Sequence, residues 1–309
     1  MRVVITFNCL KNRAKRYAPN VSLHISTQLG VVNSATASIL HAMGADTVVL
    51  ARELSLEEIR KIRQNTPSEL RLEAFVHGAM CVSFSGRCLL SNYLTGRDAN
   101  RGECAQPCRW KYALVEEKRP DQAFEISEDG GTFIMNSRDL NMIEHLQELA
   151  DAGVSSFKIE GRTKSAYYTA VVTNAYRHAI DAIAVRDDVP EIWIRETDMV
   201  SHRPYSTGFY FGEPGQVTEG PNYFTGADVM AVVENCDDAG NAVLTQRNKF
   251  SRGDTLELLT PEGEPVSFSV EHLFNTYGEE IEDARHAMME LHMHLPKPAP
   301  RLSIVRKRR

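Results

Sequence analysis

Strand-like segments alternate with amphipathic helical segments between residue 21 and about residue 184. The strand-like segments read VSLHIST, ADTVVLARE, RLEAFVHG, FIMNS and SSFKIEG. One intervening helix, SLEEIRKIRQ, opens with a capping box in which Ser55 and Glu58 each satisfy a free backbone N–H of the other. Two more helices are predicted at RDLNMIEHLQELADAG and SAYYTAVVTNAYRHAIDAIAV. Such alternation is typical of parallel strands joined by helical crossovers, so it predicts an α/β sheet or barrel.

Polar side chains stand where these predicted strands end. Ligands of α/β folds bind at the carboxyl ends of the strands, so residues there are candidates for a shared pocket. Each of them alone has an alternative as a helix cap or a salt-bridge partner. The candidates are Gln28, Arg52, Glu53, His77, Lys158, Glu160 and Arg162.

The pattern changes at about residue 186. The segment HRPYSTGFYFGEPG is rich in turns and aromatic residues, and after it short β-type runs alternate with Asp-Ala-Gly, Arg-Gly-Asp and Pro-Glu-Gly turns. This is typical of a small β-barrel or sandwich. We therefore predict an α/β domain at 1–185, a linker at 186–225, and a small β-barrel domain at 226–309 with the basic tail RKRR.

Composition and charge narrow the class of protein. The hydrophobic (42%) and charged (25%) fractions are those of an ordinary soluble globular protein. No window approaches the roughly 18 apolar residues of a membrane span, and the N-terminus lacks a signal-peptide pattern. We expect a cytoplasmic protein without a membrane partner. The net charge of −6 excludes electrostatic capture of nucleic acid by the chain as a whole but leaves local basic patches open.

Four of the six cysteines fall between residues 81 and 108, with the spacing C-x6-C-x15-C-x3-C. In the reducing cytosol, clustered cysteines indicate metal binding or catalysis rather than disulfides. Four thiolates suit a tetrahedral zinc or an iron–sulfur cluster. Structural zinc sites use two tight knuckles, and only Cys104 and Cys108 are that close. The spacing favours a cluster over zinc, with unliganded core cysteines as the third alternative.

The stretch EAFVHGAMCVSFSGRCLLS, residues 73–91, resembles the signature of the collagenase-like peptidases of unassigned catalytic type, peptidase family U32. HISTQ, VVLARELSLEEI, GECAQPCRWKY, FKIEGR and HRPYSTGFYFG are similar to that family as well, so the resemblance covers about residues 20 to 309. It is strongest to a branch that hydroxylates the wobble uridine of certain tRNAs in a prephenate-dependent reaction. Other members act on 23S rRNA or on ubiquinone precursors.

The resemblance implies a fold, a cofactor and partners. The expected fold is α/β, a partial TIM-like parallel barrel shortened at its N-terminus and followed by a small C-terminal β-barrel. A second copy or another chain would complete such a barrel. The implied partners are tRNA, prephenate as co-substrate and the iron–sulfur assembly machinery. The implied cofactor is a 4Fe-4S cluster, with zinc as the alternative, on Cys81, Cys88, Cys104 and Cys108.

The expected activity is therefore iron–sulfur-dependent hydroxylation of a tRNA uridine. In this interpretation Arg52, Lys158 and Arg162, with Gln28, bind a dicarboxylate or phosphate, since Arg binds such groups in a bidentate fork. The candidates for acid–base or orienting roles are Glu53, Glu160 and His77.

Two other functions stay open. A peptidase would use Cys81 as nucleophile and His77 as base, which leaves three cysteines unexplained. A cluster-bearing accessory protein would have no turnover of its own. In the hydroxylase interpretation, Lys249, Arg252 and the RKRR tail would hold the RNA backbone, and the alternative is a C-terminal domain that binds no ligand.

Overall fold

The computed structural model describes residues 2–5, 16–110, 112, 114–116, 119–124, 136–215, 217 and 223–309. The chain divides into two compact units. The first comprises Met1–Ser165, Tyr176–Val189 and His202–Tyr223. The second comprises Ala166–Ala175, Pro190–Ser201 and Phe224–Arg309. Within the described ranges, every helix is too short or too polar to cross a lipid bilayer.

The first unit is built on a mixed sheet. Its strands are β1 (Arg2–Ile5), β2 (Ser22–Ile25), β3 (Thr47–Val49), β4 (Arg71–Ala79), β5 (Leu114–Glu116), β6 (Arg119–Phe124), β7 (Asp139–Asn141), β8 (Ser156–Ile159) and β9 (Tyr205–Ser206). The order in the main sheet is β1-β2-β3-β4-β7-β9, with β8 also paired to β4, while β5 and β6 form a separate hairpin. Strands β1 to β4 and β8 pair in parallel, which confirms the arrangement that the β–α alternation predicts.

The described residues form helices α1 (Ser34–Ala42), α2 (Leu56–Gln64), α3 (Leu90–Thr95), α4 (Leu146–Asp151), α5 (Ala166–Ala184) and α6 (Glu191–Glu196). Helix α1 connects β2 to β3 and helix α2 connects β3 to β4, as the β–α alternation predicts. The capping box of α2 is confirmed, because Glu58 N donates to Ser55 Oγ at 3.3 Å and Ser55 N donates to Glu58 Oε2 at 2.8 Å. Helix α2 buries Leu56, Ile59 and Ile62, the apolar residues that lie on one face at helical spacing.

The helix predicted over RDLNMIEHLQELADAG is wrong in its first half. Asp139–Asn141 instead form β7, which pairs antiparallel with residues 77–79 of β4, and the α-helix begins at Leu146. The buried backbone of β4 needs hydrogen-bond partners there, and this tertiary requirement overrides the local helical pattern. Of the predicted strand FIMNS, residues 133–135 lie outside the described residues, and Asn136 and Ser137 precede β7.

An insertion, residues 80–110, follows β4 and carries all four clustered cysteines. Ser85 anchors it to the end of β3, since Ser85 N donates to Glu53 Oε1 at 2.7 Å and Arg52 N donates to Ser85 Oγ at 3.1 Å. Gly86 has φ +71°, and a Cβ there would lie 2.6 Å from Gln28 Cα. Only glycine permits this close approach, which places the insertion against the carboxyl ends of β2 and β3.

The second unit contains an antiparallel sheet in the order β14-β13-β17-β10-β11-β16. The strands are β10 (Ala227–Cys236), β11 (Asn241–Gln246), β12 (Phe250–Ser251), β13 (Thr255–Leu259), β14 (Val266–Ser269), β15 (Asp283–Ala284), β16 (Glu290–His294) and β17 (Ile304–Arg308). Val233, Leu244, Leu258 and Leu291 lie in its buried core. Neither this sheet nor that of the first unit closes through the pairings of the described residues, so both barrels remain predictions.

Most of the predicted basic tail RKRR belongs to a strand. Residues 304–308 form β17, which pairs with both β10 and β13. Every cation of the tail has a carboxylate partner: Arg306 binds Glu196 and Glu257, Lys307 binds Asp254, Arg308 binds Glu257, and Arg309 binds Asp228. Lys249 and Arg252 likewise contact Asp283 and Glu280. These cations are already neutralised within the unit, which argues against the predicted grip on an RNA backbone.

Candidate functional site

One cavity of about 220 Å³ lies between the insertion and the carboxyl ends of the parallel strands. Most of the residues predicted from the strand ends and from the cysteine spacing line this cavity together. They are Gln28, Arg52, Lys158, Glu160, Arg162, Cys81, Cys88, Cys104 and Cys108. His77 and Glu53 are not among the lining residues.

The four thiols share the cavity without meeting at one point. Burial raises the pKa of the Cys81 thiol, although Cys81 keeps contact with solvent, and burial also raises the pKa of the Cys108 thiol. In both cases neighbouring thiols add to the increase, while Arg109 opposes it. Across the described part of the chain, no three His, Cys, Asp or Glu side chains converge closely enough to hold a single metal ion.

A buried ion pair fixes the backbone immediately before Cys81. Arg203 is 1% exposed, and its guanidinium donates to Asp139 Oδ1 at 3.0 and 2.7 Å and to Asn136 Oδ1 at 3.0 Å. The same guanidinium reaches the Met80 carbonyl at 3.5 Å, and Ser137 Oγ donates to that carbonyl at 2.8 Å. The start of the insertion is therefore held by side chains rather than by sheet hydrogen bonds.

The charge of Asp139 depends on this pair. Burial alone would raise the pKa of the Asp139 carboxyl, but Arg203 and Lys164 outweigh burial and hold the pKa below its ordinary value. The carboxylate therefore stays ionised inside the unit. A buried charge of this kind is tolerated only when it is paired and hydrogen-bonded.

Two cations flank one aromatic ring in the cavity. The Arg52 guanidinium lies 4.6 Å and the Lys158 Nζ 5.1 Å from the centroid of the Phe75 ring. Arg52 Nη1 also donates to the Ala79 carbonyl at 2.7 Å, and Lys158 Nζ lies 3.5 Å from Glu73 Oε1. Both cations are thus held by fixed partners and stay directed toward the cavity.

Two further arginines line the cavity, Arg109 from the insertion and Arg162 from the segment that follows β8. Arg162 N donates to Glu160 Oε1 at 2.9 Å, and the Arg162 side chain packs so closely on Gly102 that a Cβ there would lie 3.0 Å from Arg162 Cδ. Arg109 follows Cys108 directly, and its Nη1 donates to the Tyr223 hydroxyl at 2.8 Å. With four cations and the single carboxylate of Glu160 among its lining residues, the cavity suits an anionic ligand.

The structure places His77 in the core of the first unit. It is 1% exposed, and its ring lies 5.4 Å from the rings of both Tyr176 and Tyr205. Burial lowers the pKa of the His77 imidazole to about 3, so the ring is neutral at physiological pH. His77 lies within β4, two residues before the strand ends at Ala79, and its side chain does not line the cavity.

Glu53 anchors the insertion through Ser85 and does not face the cavity. Sequence reasoning missed Phe75, Arg109 and the Asp139–Arg203 pair. Arg109 had a usable signal, because it stands next to Cys108 in GECAQPCRW. Nothing in the local sequence links Asp139 to Arg203, which are 64 residues apart.

The family is decided by comparison with known sequences. The family described as "Peptidase family U32" matches residues 8–220, and "Peptidase family U32 C-terminal domain" matches residues 225–306. The chain belongs to peptidase family U32. The match begins at residue 8, so the expectation that the first 20 residues are unlike the family is wrong.

Relatives within family U32 carry different functional names. The "tRNA hydroxylation protein P1" of Bacillus subtilis is 35% identical over 99% of this chain and 74% of that protein. The "23S rRNA 5-hydroxycytidine synthase" of Escherichia coli is 35% identical over 78% of this chain and 37% of that protein. The "Collagenase" of Porphyromonas gingivalis is 35% identical over 62% of this chain and 48% of that protein.

Proposed function

We propose that this chain is an RNA-modifying enzyme that converts the wobble uridine of tRNA to 5-hydroxyuridine with prephenate as co-substrate. The observation that carries the proposal is the single cavity lined by four thiols and four cations. The similarity to a tRNA hydroxylation protein extends along 99% of the chain, further than the similarity to the collagenase. Identity alone does not separate these relatives, so the proposal is supported by the extent of the similarity together with the chemistry of the cavity lining.

The four cysteines would hold a 4Fe-4S cluster. The four thiols line one cavity, and their wide, uneven spacing along the chain favours a cluster over a single zinc, whose structural sites use two tight knuckles. Gln106 N donates to Cys104 Sγ at 3.3 Å, a hydrogen bond of the kind that tunes cluster thiolates. When bound, such a cluster supplies electron-transfer chemistry that amino-acid side chains lack.

The cationic side of the cavity would bind and orient the anionic substrates. Arg52 and Lys158, held against Phe75, offer two positive charges to the carboxylates of prephenate. Arg109 and Arg162 also line the cavity, where they would suit a phosphate of the RNA. Glu160 supplies the carboxylate that would orient a substrate hydroxyl or accept a proton.

A cysteine peptidase is less well supported. It requires a histidine within hydrogen-bond reach of the nucleophile. His77 is buried beside Tyr176 and Tyr205, and no histidine is among the described residues that line the cavity. The Cys81 thiol also lacks activation, because burial raises its pKa instead of lowering it.

The test is nucleoside mass spectrometry of tRNA from a bacterial strain that lacks 5-hydroxyuridine, with and without this chain. We expect 5-hydroxyuridine to return only when prephenate synthesis is intact. The purified protein should absorb near roughly 400 nm and bleach on reduction. Cys81→Ser and Cys104→Ser should each abolish both signals.

Cys236→Ser is the matched control, since Cys236 is a partly exposed free thiol in the second unit. It should keep both the colour and the modified nucleoside. A coloured protein that restores no hydroxyuridine would identify an accessory protein without turnover. Gelatin cleavage abolished by Cys81→Ser but not by Cys104→Ser would favour the peptidase.

A further inference from the structure

The insertion exposes large apolar side chains to solvent. Leu89 is 70%, Tyr93 86% and Trp110 44% exposed. Leu89 and Tyr93 share one face, because Tyr93 N donates to the Leu89 carbonyl at 2.8 Å across the first turn of α3. Leu90, the neighbour of Leu89, lines the cavity. Helix α3 therefore lines the cavity through Leu90 and presents apolar surface to solvent through Leu89 and Tyr93.

Arginines accompany these side chains. Arg87, Arg97 and Arg101 are exposed on the same insertion, and within the described residues no ion pair involves Arg87 or Arg97. Arg101 lies 3.6 Å from Asp98 while remaining 81% exposed. In a chain of net charge −6, this is a local excess of positive charge. We call the exposed Arg87, Leu89, Tyr93, Arg97, Arg101 and Trp110 the insertion face.

We propose that the insertion face binds an unpaired segment of RNA, with bases stacked on Tyr93 and Trp110 and phosphates held by the arginines. Flat exposed aromatic rings beside unpaired arginines are the combination that binds single-stranded nucleic acid. An apolar partner would leave the positive charge of this insertion unmatched, whereas the phosphates of RNA would match it, so the charge favours RNA. The proposal rests on the proposed function, because it names the form in which the RNA substrate is recognised.

The same insertion connects this face to the cavity. Gly102 and Arg109 line the cavity, and their direct neighbours in the chain, Arg101 and Trp110, belong to the insertion face. An enzyme that acts on a base must take it out of its stack, and this costs least in a loop that is already unpaired. An RNA loop bound to the insertion face would contact residues that directly adjoin cavity-lining residues in the chain. The cations of the C-terminal strand β17, by contrast, are paired with carboxylates.

The experiment is fluorescence anisotropy of the full chain, purified with its cluster under anaerobic conditions. The probes are a labelled RNA stem–loop with an unpaired loop and a blunt RNA duplex of the same length. We expect the stem–loop to bind more tightly, and Tyr93→Ala to weaken it roughly ten-fold. Tyr93→Phe should restore the affinity, because it keeps the ring. Arg97→Gln should lower the slope of log affinity against log salt by about one.

The matched controls are Tyr277→Ala, in which a tyrosine of equal exposure (87%) in the second unit is lost, and Arg60→Gln on α2. Both should leave stem–loop affinity unchanged. Wild-type affinity in Tyr93→Ala overturns the proposal, and so does a change in oligomeric state without a change in affinity, which would make the face a self-association surface. If the wild-type chain binds no RNA and restores no hydroxyuridine, the proposed function itself fails. If it restores hydroxyuridine while Tyr93→Ala binds normally, only the insertion face is wrong.

Discussion

The His77 imidazole lies between the rings of Tyr176 and Tyr205, and its burial makes stability depend on pH. Its pKa falls from an ordinary 6.5 to about 3, because burial outweighs the attraction of Asp139 for the charged form. As the pH falls below 6.5, the imidazole is protonated in the unfolded chain but stays neutral in the folded chain. The free energy of unfolding is therefore unaffected by the titration of His77 above pH 6.5 and decreases as the pH falls toward 3, by about 1.4 kcal/mol per pH unit.

Urea unfolding of the wild-type chain and of His77→Gln at pH values from roughly 4.5 to 7.5, on both sides of the ordinary pKa of 6.5, measures this contribution. Glutamine is polar and does not titrate, so the variant should lose less stability on acidification. The pKa of the Asp139 carboxyl lies below its ordinary value of 3.8, so protonation of Asp139 lowers the free energy of unfolding only at pH values below this window. Parallel curves for the two proteins would contradict the burial of a neutral imidazole.

Among individual residues, the expectation that ligands bind at the carboxyl ends of parallel strands predicted several residues that line the cavity, but it did not predict Phe75 or Arg109. Arg52, Lys158 and Glu160 follow or end parallel strands, and the chain direction alone brings them to one edge of the sheet. His77 could not be placed in this way, because the register of β4 against β8 shifts between Phe75 and His77. Such an irregularity interrupts the alternation of side chains and has no signature in the sequence.

At the scale of elements, the cavity depends on the close approach of the end of β4 to the end of β8, which pair in parallel. Gly78 has φ +116°, and a Cβ there would lie 2.3 Å from the Glu160 carbonyl oxygen. Gly78→Ala should therefore push Glu160 away and lower the free energy of unfolding by about 3 kcal/mol or more, since backbone strain and a backbone clash add together. Denaturant titration measures this loss.

Gly96→Ala is the control for that measurement. Gly96 also has a positive φ, +72°, but a Cβ there meets nothing within 4 Å. Its cost should be only the left-handed backbone penalty, about 1–2 kcal/mol. Equal losses in the two variants would show that β4 and β8 do not approach as closely as described.

Helix α2 and strand β7 differ in how far the local sequence pattern predicts them. Helix α2 was predictable, because its capping box and its apolar face are both local. Strand β7 was not, because Asp139 is held by Arg203 and Leu140 pairs with Gly78, and both partners are distant in the chain. The apolar pattern of residues 138–153 is compatible with a helix, but these long-range contacts stabilise a strand at Asp139–Asn141 instead.

For the whole molecule, the location of unpaired charge matters more than the net charge of −6. The cations that line the cavity of the first unit outnumber its carboxylates, whereas those of the C-terminal strand are neutralised. A basic run at the end of a sequence suggests a nucleic-acid tail. The β-branched Ile304 and Val305 directly before this run are equally compatible with a buried strand, and both residues lie in β17. Only the pairing with β10 and β13 distinguishes the two.

Arg306 provides the test of that distinction. It is fully buried, and its guanidinium donates to Glu196 at 2.6 and 2.8 Å and to Glu257 at 2.9 Å. Arg306→Met would leave the Glu196 carboxylate buried without its cation and Glu257 with Arg308 as its remaining cation, so we expect a loss of about 3–5 kcal/mol in the free energy of unfolding. Arg309→Gln removes an exposed pair with Asp228 and should cost less than about 1 kcal/mol. If the two substitutions had equal effects, the C-terminal strand would be a solvated tail after all, and its charges would again be available to RNA.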